Sequence, residues 1–270
     1  MSVAPPWVAV ARAQAQRPPR RERLPLLVAG RLVGSVEPGV LDEIAAQGLQ
    51  NGRIQLSKQE YRHACAWQLG TPEDATQALN ALARALRETG HCGPWRDEQL
   101  AVRDARGERM GTIERGAVRP LGLATQAVHL IGLAADGRMW VQQRSLDKAN
   151  NPGMWDTLMG GMVSAADNLA SAVERETWEE AGLRVTALQG LAHGGHVEFS
   201  KPSDEGDGCG YMVERIDWFR AQLPEGMLPV NQDGEVARFD CLAPAQMLRR
   251  LAEGAFTPEA TLVLAAFYGW

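Results

Sequence analysis

Three glutamates inside one apolar stripe constrain this chain more than any other feature. Glu176, Glu179 and Glu180 stand at i, i+3 and i+4 in the run Arg175-Glu176-Thr177-Trp178-Glu179-Glu180-Ala181-Gly182. On a helix they share a face. Extended toward the N-terminus, that face passes through Leu169, Ala172 and Val173. In the other direction it reaches Leu183. Close carboxylates repel, and burying them is costly unless they are paired or hold a cation. Oxygen-only ligands select hard ions, Mg²⁺ or Mn²⁺, over zinc. Such a cluster suits metal-assisted attack of water on a phosphate or diphosphate. The same spacing also suits a solvated helix, and Trp178 and Ala181 give the helix apolar groups on its other side.

The rest of the chain leaves room for two units. It has 270 residues, 28 Lys plus Arg and 33 Asp plus Glu, for a net charge of −5. That balance argues against a general nucleic-acid binder, which needs a basic face. No run approaches ~18 apolar residues, so no membrane span is expected. Cys65, Cys92, Cys209 and Cys241 form no C-x-x-C pair. This points to reduced thiols and a cytoplasmic setting.

Residues 1–23, with five arginines from Arg12 to Arg23, are expected to form a basic arm, loosely ordered or a short helix. Leu24 to Val36 reads as a hairpin turning at Ala29-Gly30. Val40 to Ala46 reads as a short helix and Arg53 to Leu56 as a strand. Thr71-Pro72-Glu73 opens a helix that stops at Gly90. Leu100 to Asp104 and Met110 to Glu114 make a second hairpin. Residues 24–119 are therefore expected to form a small α+β accessory domain. Beyond Pro120 the expected strands are 126–134, 138–143, 155–159, 185–188, 211–221 and 236–242. Helices are expected from Asn168 to Ala181, from Pro244 to Glu253 and from Thr257 to about Tyr268.

Gly161 to Leu183, GMVSAADNLASAVERETWEEAGL, resembles the Nudix box, G-x5-E-x7-R-E-U-x-E-E-x-G-U, where U is a bulky aliphatic residue. Gly161, Arg175, Glu176, Glu179, Glu180, Gly182 and Leu183 match it. Asp167 stands in place of Glu, and Thr177 in place of an aliphatic residue. The resemblance implies an α/β (α+β) fold for residues 120–270: a Nudix α/β/α sandwich with a mixed sheet, preceded by the small α+β domain. It implies that Glu179 and Glu180 bind Mg²⁺ or Mn²⁺, that Glu176 binds metal or handles the water, and that Arg175 holds the helix geometry. A backbone carbonyl at Gly160 or Gly161 completes the metal shell. Asp167 would bind a metal through water or cap the helix.

The match extends through Arg144-Ser145, Lys148, Pro152-Gly153, Asp156 and Gly160-Gly161, and through Asn231 to Val236. These resemble the thiamine pyrophosphokinase-related branch of Nudix proteins, whose accessory domain residues 24–113 also resemble. The resemblance implies hydrolysis of a small organic or nucleoside diphosphate, thiamine-diphosphate-like, to monophosphate plus phosphate. The alternatives are a nucleotide-sugar or dinucleotide pyrophosphatase that releases a nucleoside monophosphate, and a diphosphate-binding sensor without catalysis. Glu235 is a further candidate metal ligand or base. Arg144 and Lys148 are candidates to neutralise the diphosphate. The expected partner is a small-molecule diphosphate, with no nucleic acid or membrane; a homodimer is compatible with the sequence. His193 and His196, an H-x-x-H pair, fall on opposite faces of a strand and do not suit one metal. The acidic loop of Asp204, Glu205 and Asp207 lacks the order of a calcium loop.

Overall fold

A computed structural model describes residues 3–51, 54–70, 75–203 and 210–270. The helix opening at Thr71-Pro72-Glu73 and the loop of Asp204, Glu205 and Asp207 lie outside them. In chain order the elements are α1 (Pro6–Ala15), β1 (Leu24–Val28), β2 (Arg31–Val36), α2 (Val40–Asn51), β3 (Leu56–Tyr61), β4 (Ala64–Leu69), α3 (Ala75–Glu88), β5 (Gln99–Arg103), β6 (Arg109–Glu114), β7 (Ala124–Leu133), β8 (Met139–Arg144), β9 (Trp155–Asp156), β10 (Met159–Met162), α4 (Leu169–Ala181), β11 (Gln189–Pro202), β12 (Tyr211–Gln222), β13 (Val236–Leu242), α5 (Pro244–Ala252) and α6 (Pro258–Phe267). Short 3₁₀ turns lie at Arg115–Ala117 and Val185–Ala187.

The first unit is a four-stranded sheet ordered β2-β1-β4-β3, with β1 and β4 parallel, beside the β5–β6 hairpin. Helix α3 closes its core. Leu79, Leu82, Ala83 and Leu86 recur at helical spacing and are all buried. Truncating a leucine in such a row costs about 2–5 kcal/mol. Leu121 and Leu123, past the expected boundary at Arg119, pack into this same core.

The second unit is a mixed sheet ordered β11-β12-β7-β8-β13, in which β7 and β12 run parallel. One face packs on α6 through Ile131, Ile216 and Val263. The other packs on α4 through Val128, Leu130, Ala172 and Val173. The sheet therefore sits between helices, as the sandwich expectation requires. Strands β7 and β8 pair only where Gly132 and Leu133 meet Met139 and Trp140. Beyond that point β10 pairs with β7 and β9 with β8, so the sheet forks.

Two expectations change. The basic segment, expected as a loosely ordered arm or a short helix, forms the short helix α1, which docks on the body instead of standing off in water. Val8 and Ala15 are buried, and the Arg17 N–H donates to the Ser200 carbonyl at 2.8 Å. The apolar face of Trp7, Ala11 and Ala15 covers the α6 side of the sheet, which outweighs the pull of the arginines toward water. The strand expected at 185–188 is a 3₁₀ turn. The strand comes later, as β11, through a glycine-rich run. Gly194 is needed there, because a Cβ on it would lie 1.9 Å from the Trp218 ring. Among the described residues no helix is long and apolar enough to cross a membrane.

Candidate active site

The three glutamates ride on α4, and its ends are well defined. Asn168 caps the N-terminus, accepting from the Ala170 and Ser171 N–H groups, and Ser171 bonds back to complete a capping box. Gly182 ends the helix at φ 63. Asp167 is therefore not the cap. Its carboxylate accepts from Arg175 Nε at 3.0 Å and Nη2 at 2.8 Å, and from the Ser164 hydroxyl at 3.0 Å. The capping work falls to the next residue, which frees Asp167 to brace the arginine.

Arg175 is the hub of the helix face. Its Nη1 donates to Glu176 at 2.8 Å and to Glu179 at 2.9 Å, and its Nη2 also reaches the Met162 carbonyl at 3.1 Å. Burial works against the guanidinium charge, but Glu176 and Asp167 outweigh it and raise the pKa. Burial pushes Glu176 up to about 7 against the pull of Arg175. Glu179 is the most exposed of the three.

Glu180 is 2% exposed. Its Oε2 accepts from the Gly160 N–H at 3.0 Å and the Gln142 amide at 2.8 Å. Burial raises it to about 8, with the Gly160 bond opposing and Glu176 adding to the rise. Gly161 packs directly on Glu176: a Cβ there would lie 2.0 Å from the carboxyl carbon. The Gly160-Gly161 pair thus lets β10 run hard against the glutamate face of α4.

This face opens onto a cleft of about 530 Å³ at the fork of the sheet. Besides Arg175 and the three glutamates of the helix face, the expected residues Arg144, Lys148, Glu235 and Gly161 line the cleft. Arg144 binds the Asn150 carbonyl at 3.0 and 3.2 Å and lies 3.7 Å from Asp156, which fixes the loop between β8 and β9. Lys148 pairs with Glu235. Burial lowers the Lys148 pKa, and Glu180 opposes the shift. Asp233 accepts from the Glu235 N–H at 2.8 Å. His193 instead bonds Asp217 at 2.9 Å, while His196 lies 3.8 Å from Glu198.

Of the other cleft residues, Asp156 belongs to the motif run before the box, and the rest had no motif to announce them. The first unit supplies Glu98 and Arg115, paired at 2.7 Å, and Arg119 from the link to β7. Arg119 holds buried Glu214 of β12 at 2.7 Å, and the Thr125 hydroxyl donates to the same oxygen at 2.8 Å. His129 of β7 is buried with its ring against Gly160. Thr157 Oγ1 gives its proton to the Met159 carbonyl and lies 2.9 Å from His129 Nδ1, which makes Nδ1 the donor. Burial lowers the His129 pKa, so the ring is neutral with Nε2 as its acceptor. Asp156 accepts from its neighbour's N–H at 2.8 Å and from the Thr257 hydroxyl at 3.3 Å.

Residues 124–262, just over half of the chain, match the model of the NUDIX domain. The chain belongs to the NUDIX domain family. Nudix hydrolase 20, chloroplastic, of Arabidopsis thaliana is 30% identical over 70% of this chain and 50% of its own length. Nudix hydrolase 24, chloroplastic, of the same plant is 25% identical over 91% of this chain and 67% of its own. An isopentenyl-diphosphate Delta-isomerase of Leifsonia xyli subsp. xyli is 30% identical over 63% of this chain and 91% of its own. This Nudix chain thus spans half of the first relative and about two thirds of the second.

The Nudix helix also explains its own departure from the box pattern. Thr177 takes the aliphatic position and is fully buried, and its hydroxyl has no hydrogen-bond partner. The slot offers the hydroxyl no partner, so threonine fills it by shape.

Among the described residues no three His, Cys, Asp or Glu side chains close on one metal-sized point. Arg175 instead stands between Glu176 and Glu179. The donor set still fits a hard divalent cation. It is made of oxygen alone, from Glu176, Glu179, Glu180 and the Gly160-Gly161 backbone, and it lacks the space for a side chain at position 161.

Proposed function

We propose that this Nudix protein hydrolyses a diphosphate linkage in a small organic or nucleoside diphosphate, with Mg²⁺ or Mn²⁺, to monophosphate plus phosphate. The observation that carries this reading is the position of Glu176, Glu179 and Glu180. They line one helix face, tight against Gly160-Gly161, and open onto a polar cleft rimmed by Arg115, Arg119, Arg144, Lys148 and Arg175.

In this reading Glu176, Glu179 and Glu180 hold the cations, with a backbone carbonyl at Gly160 or Gly161. The bound cations would supply positive charge for the diphosphate and lower the pKa of water. Arg175 and Asp167 brace the helix face, so that the carboxylates keep their aim as charge moves. Arg144 fixes the loop that carries Lys148, and both offer charge to the phosphates. Glu235 is kept as a second-rank candidate for base or ligand, reached through its partner Lys148. The fork of the sheet supplies the cleft in which the linkage lies.

For the organic part, the resemblance of 144–161 and 231–236 to the thiamine pyrophosphokinase-related branch supports a thiamine-diphosphate-like substrate. Phosphorus NMR on a panel of thiamine diphosphate, its oxidised forms, ADP-ribose and isopentenyl diphosphate tests the reading. The expected result is release of phosphate from a thiamine-type diphosphate. Release of AMP from ADP-ribose would favour the dinucleotide alternative. Rearrangement of isopentenyl diphosphate with its phosphates intact would overturn hydrolysis.

A further inference from the structure

A second cavity lies against the cleft, on the α6 side of the sheet. Its volume is about 540 Å³, close to that of the cleft. Small-molecule sites usually span ~300–1,000 Å³ and are mostly apolar. The walls here are Trp7, Val10 and Ala11 of α1, Phe199 of β11, Met154 before β9 and Phe256 before α6. Arg17 and Lys201 are the charged side chains among them, and among the described residues no acidic side chain joins the lining.

The cavity and the cleft have two wall residues in common, Asn151 and Lys201. Asn151 turns the loop between β8 and β9 at φ 51, and its carbonyl accepts from the Met154 N–H at 3.3 Å. Further along, the partition is a single strand of chain. The Trp155 N–H donates to the Ala255 carbonyl at 2.9 Å, and the Thr257 N–H donates to the Trp155 carbonyl at 2.8 Å. Residues 255–257 therefore run extended, and successive side chains point to opposite sides. Thr257 turns into the cleft, toward Asp156, and Phe256 into the cavity. Helix α1 makes the outer wall. Trp7 and Ala11 face the body, and Val10 stands at the cavity edge, 56% exposed.

We propose that this cavity is a substrate subsite. It takes the uncharged, apolar far end of the organic group, while the diphosphate lies in the cleft. Continuity decides the occupant: a group anchored by its diphosphate has only to pass Asn151 and Lys201 to leave water for apolar walls, a transfer that is favourable. A cation at that end would meet basic side chains and gain no counter-charge. The chemical class is thus a diphosphate ester whose organic group ends in an apolar ring or chain. The proposal rests on the diphosphate reading above and adds to it the character of the organic group.

Equilibrium binding to the full chain in Mg²⁺ tests it, with probes that resist cleavage: methylene diphosphonate and its methyl, butyl and octyl esters. Full burial strengthens binding by roughly fourfold per methylene. Wild type is expected to bind the octyl ester at least about tenfold more tightly than the methyl ester, since part of the chain still crosses the polar cleft. Ala252→Trp fills the cavity from an exposed wall position at the end of α5. It should remove most of the octyl gain and leave methylene diphosphonate binding unchanged, which also shows that the variant is folded. Val10→Asp, which places a charge at the cavity edge, should reduce the same gain. Equal binding of the methyl and octyl esters by wild type, or an octyl gain that survives both variants, would overturn the subsite while leaving the diphosphate reading standing. A wild type that binds no diphosphonate at all would overturn both.

Discussion

Gly161→Ala should separate stability from catalysis. A Cβ at this position lies 2.0 Å from the Glu176 carboxyl carbon and 2.3 Å from both oxygens. Carbon atoms in contact sit about 3.5 Å apart, so the carboxyl group must retreat by roughly 1.5 Å. That motion breaks the 2.8 Å bond from Arg175 Nη1. The displaced atoms are the end of a flexible side chain, so the fold should survive. The expected loss of stability is at most about 1.5–3 kcal/mol, the value of one hydrogen bond between charged groups. Turnover should suffer far more, because a misplacement of about 1 Å in a reacting constellation costs on the order of 10²-fold. Thermal unfolding and phosphate release, measured on one preparation, read both effects. A folded Gly161→Ala protein with near wild-type turnover would refute the claim that the Gly160-Gly161 backbone sets the aim of Glu176.

Thr177→Val should raise the melting temperature. It removes a buried hydroxyl without a partner and keeps the shape, for a gain of about 1 kcal/mol; a lower melting temperature would mean that the hydroxyl is bonded after all. Glu214 gives a pH test. Burial alone would raise its pKa, but Arg119 and Thr125 outweigh burial and hold it below the ordinary 4.5. Its contribution is thus fully present above about pH 4.5 and is lost as the pH falls through the lower folded-state value. Acid unfolding of Glu214→Gln should show a shallower loss in that window, and an unchanged slope would count against the pair. Arg119→Met should cost about 3–5 kcal/mol in denaturant unfolding, because it leaves the Glu214 charge buried and unpaired. A loss near zero would mean that the carboxylate finds water or another donor.

The box helix was legible because its signal is local. Periodicity, the glycine stop and seven matched positions fall within one stretch of chain. Within that stretch the sequence still left Asp167 between two jobs. Adjacent Asp and Asn residues can each cap a helix, and only the fold shows that Asn168 does so. The β3–β4 hairpin was missed for a related reason. Its two-residue turn is Arg62-His63, both at positive φ, where Asn-Gly is the readable signal. Among the glycines that make β11 look like loop, Gly194 is there to admit the Trp218 ring. The cleft itself was the least legible part. Arg119, Glu214 and Glu259 come from three distant parts of the chain, and the parallel pairing of β7 with β12 and the docking of α6 bring them together. No spacing in the sequence encodes that meeting. The first unit looked remote from the chemistry for the same reason, yet it furnishes Glu98 and Arg115 to the cleft wall.

Glu180 is the residue on which the account turns, since it is the most buried of the three box glutamates and is held by Gly160 and Gln142. The decisive measurement is phosphate release from thiamine diphosphate by wild type and Glu180→Gln, each with Mg²⁺ and with EDTA. Wild type should turn over only with Mg²⁺. Glu180→Gln should stay folded and lose turnover by at least about 10²-fold. Wild-type turnover that persists in EDTA, or a Glu180→Gln protein as active as wild type, would contradict the central claim.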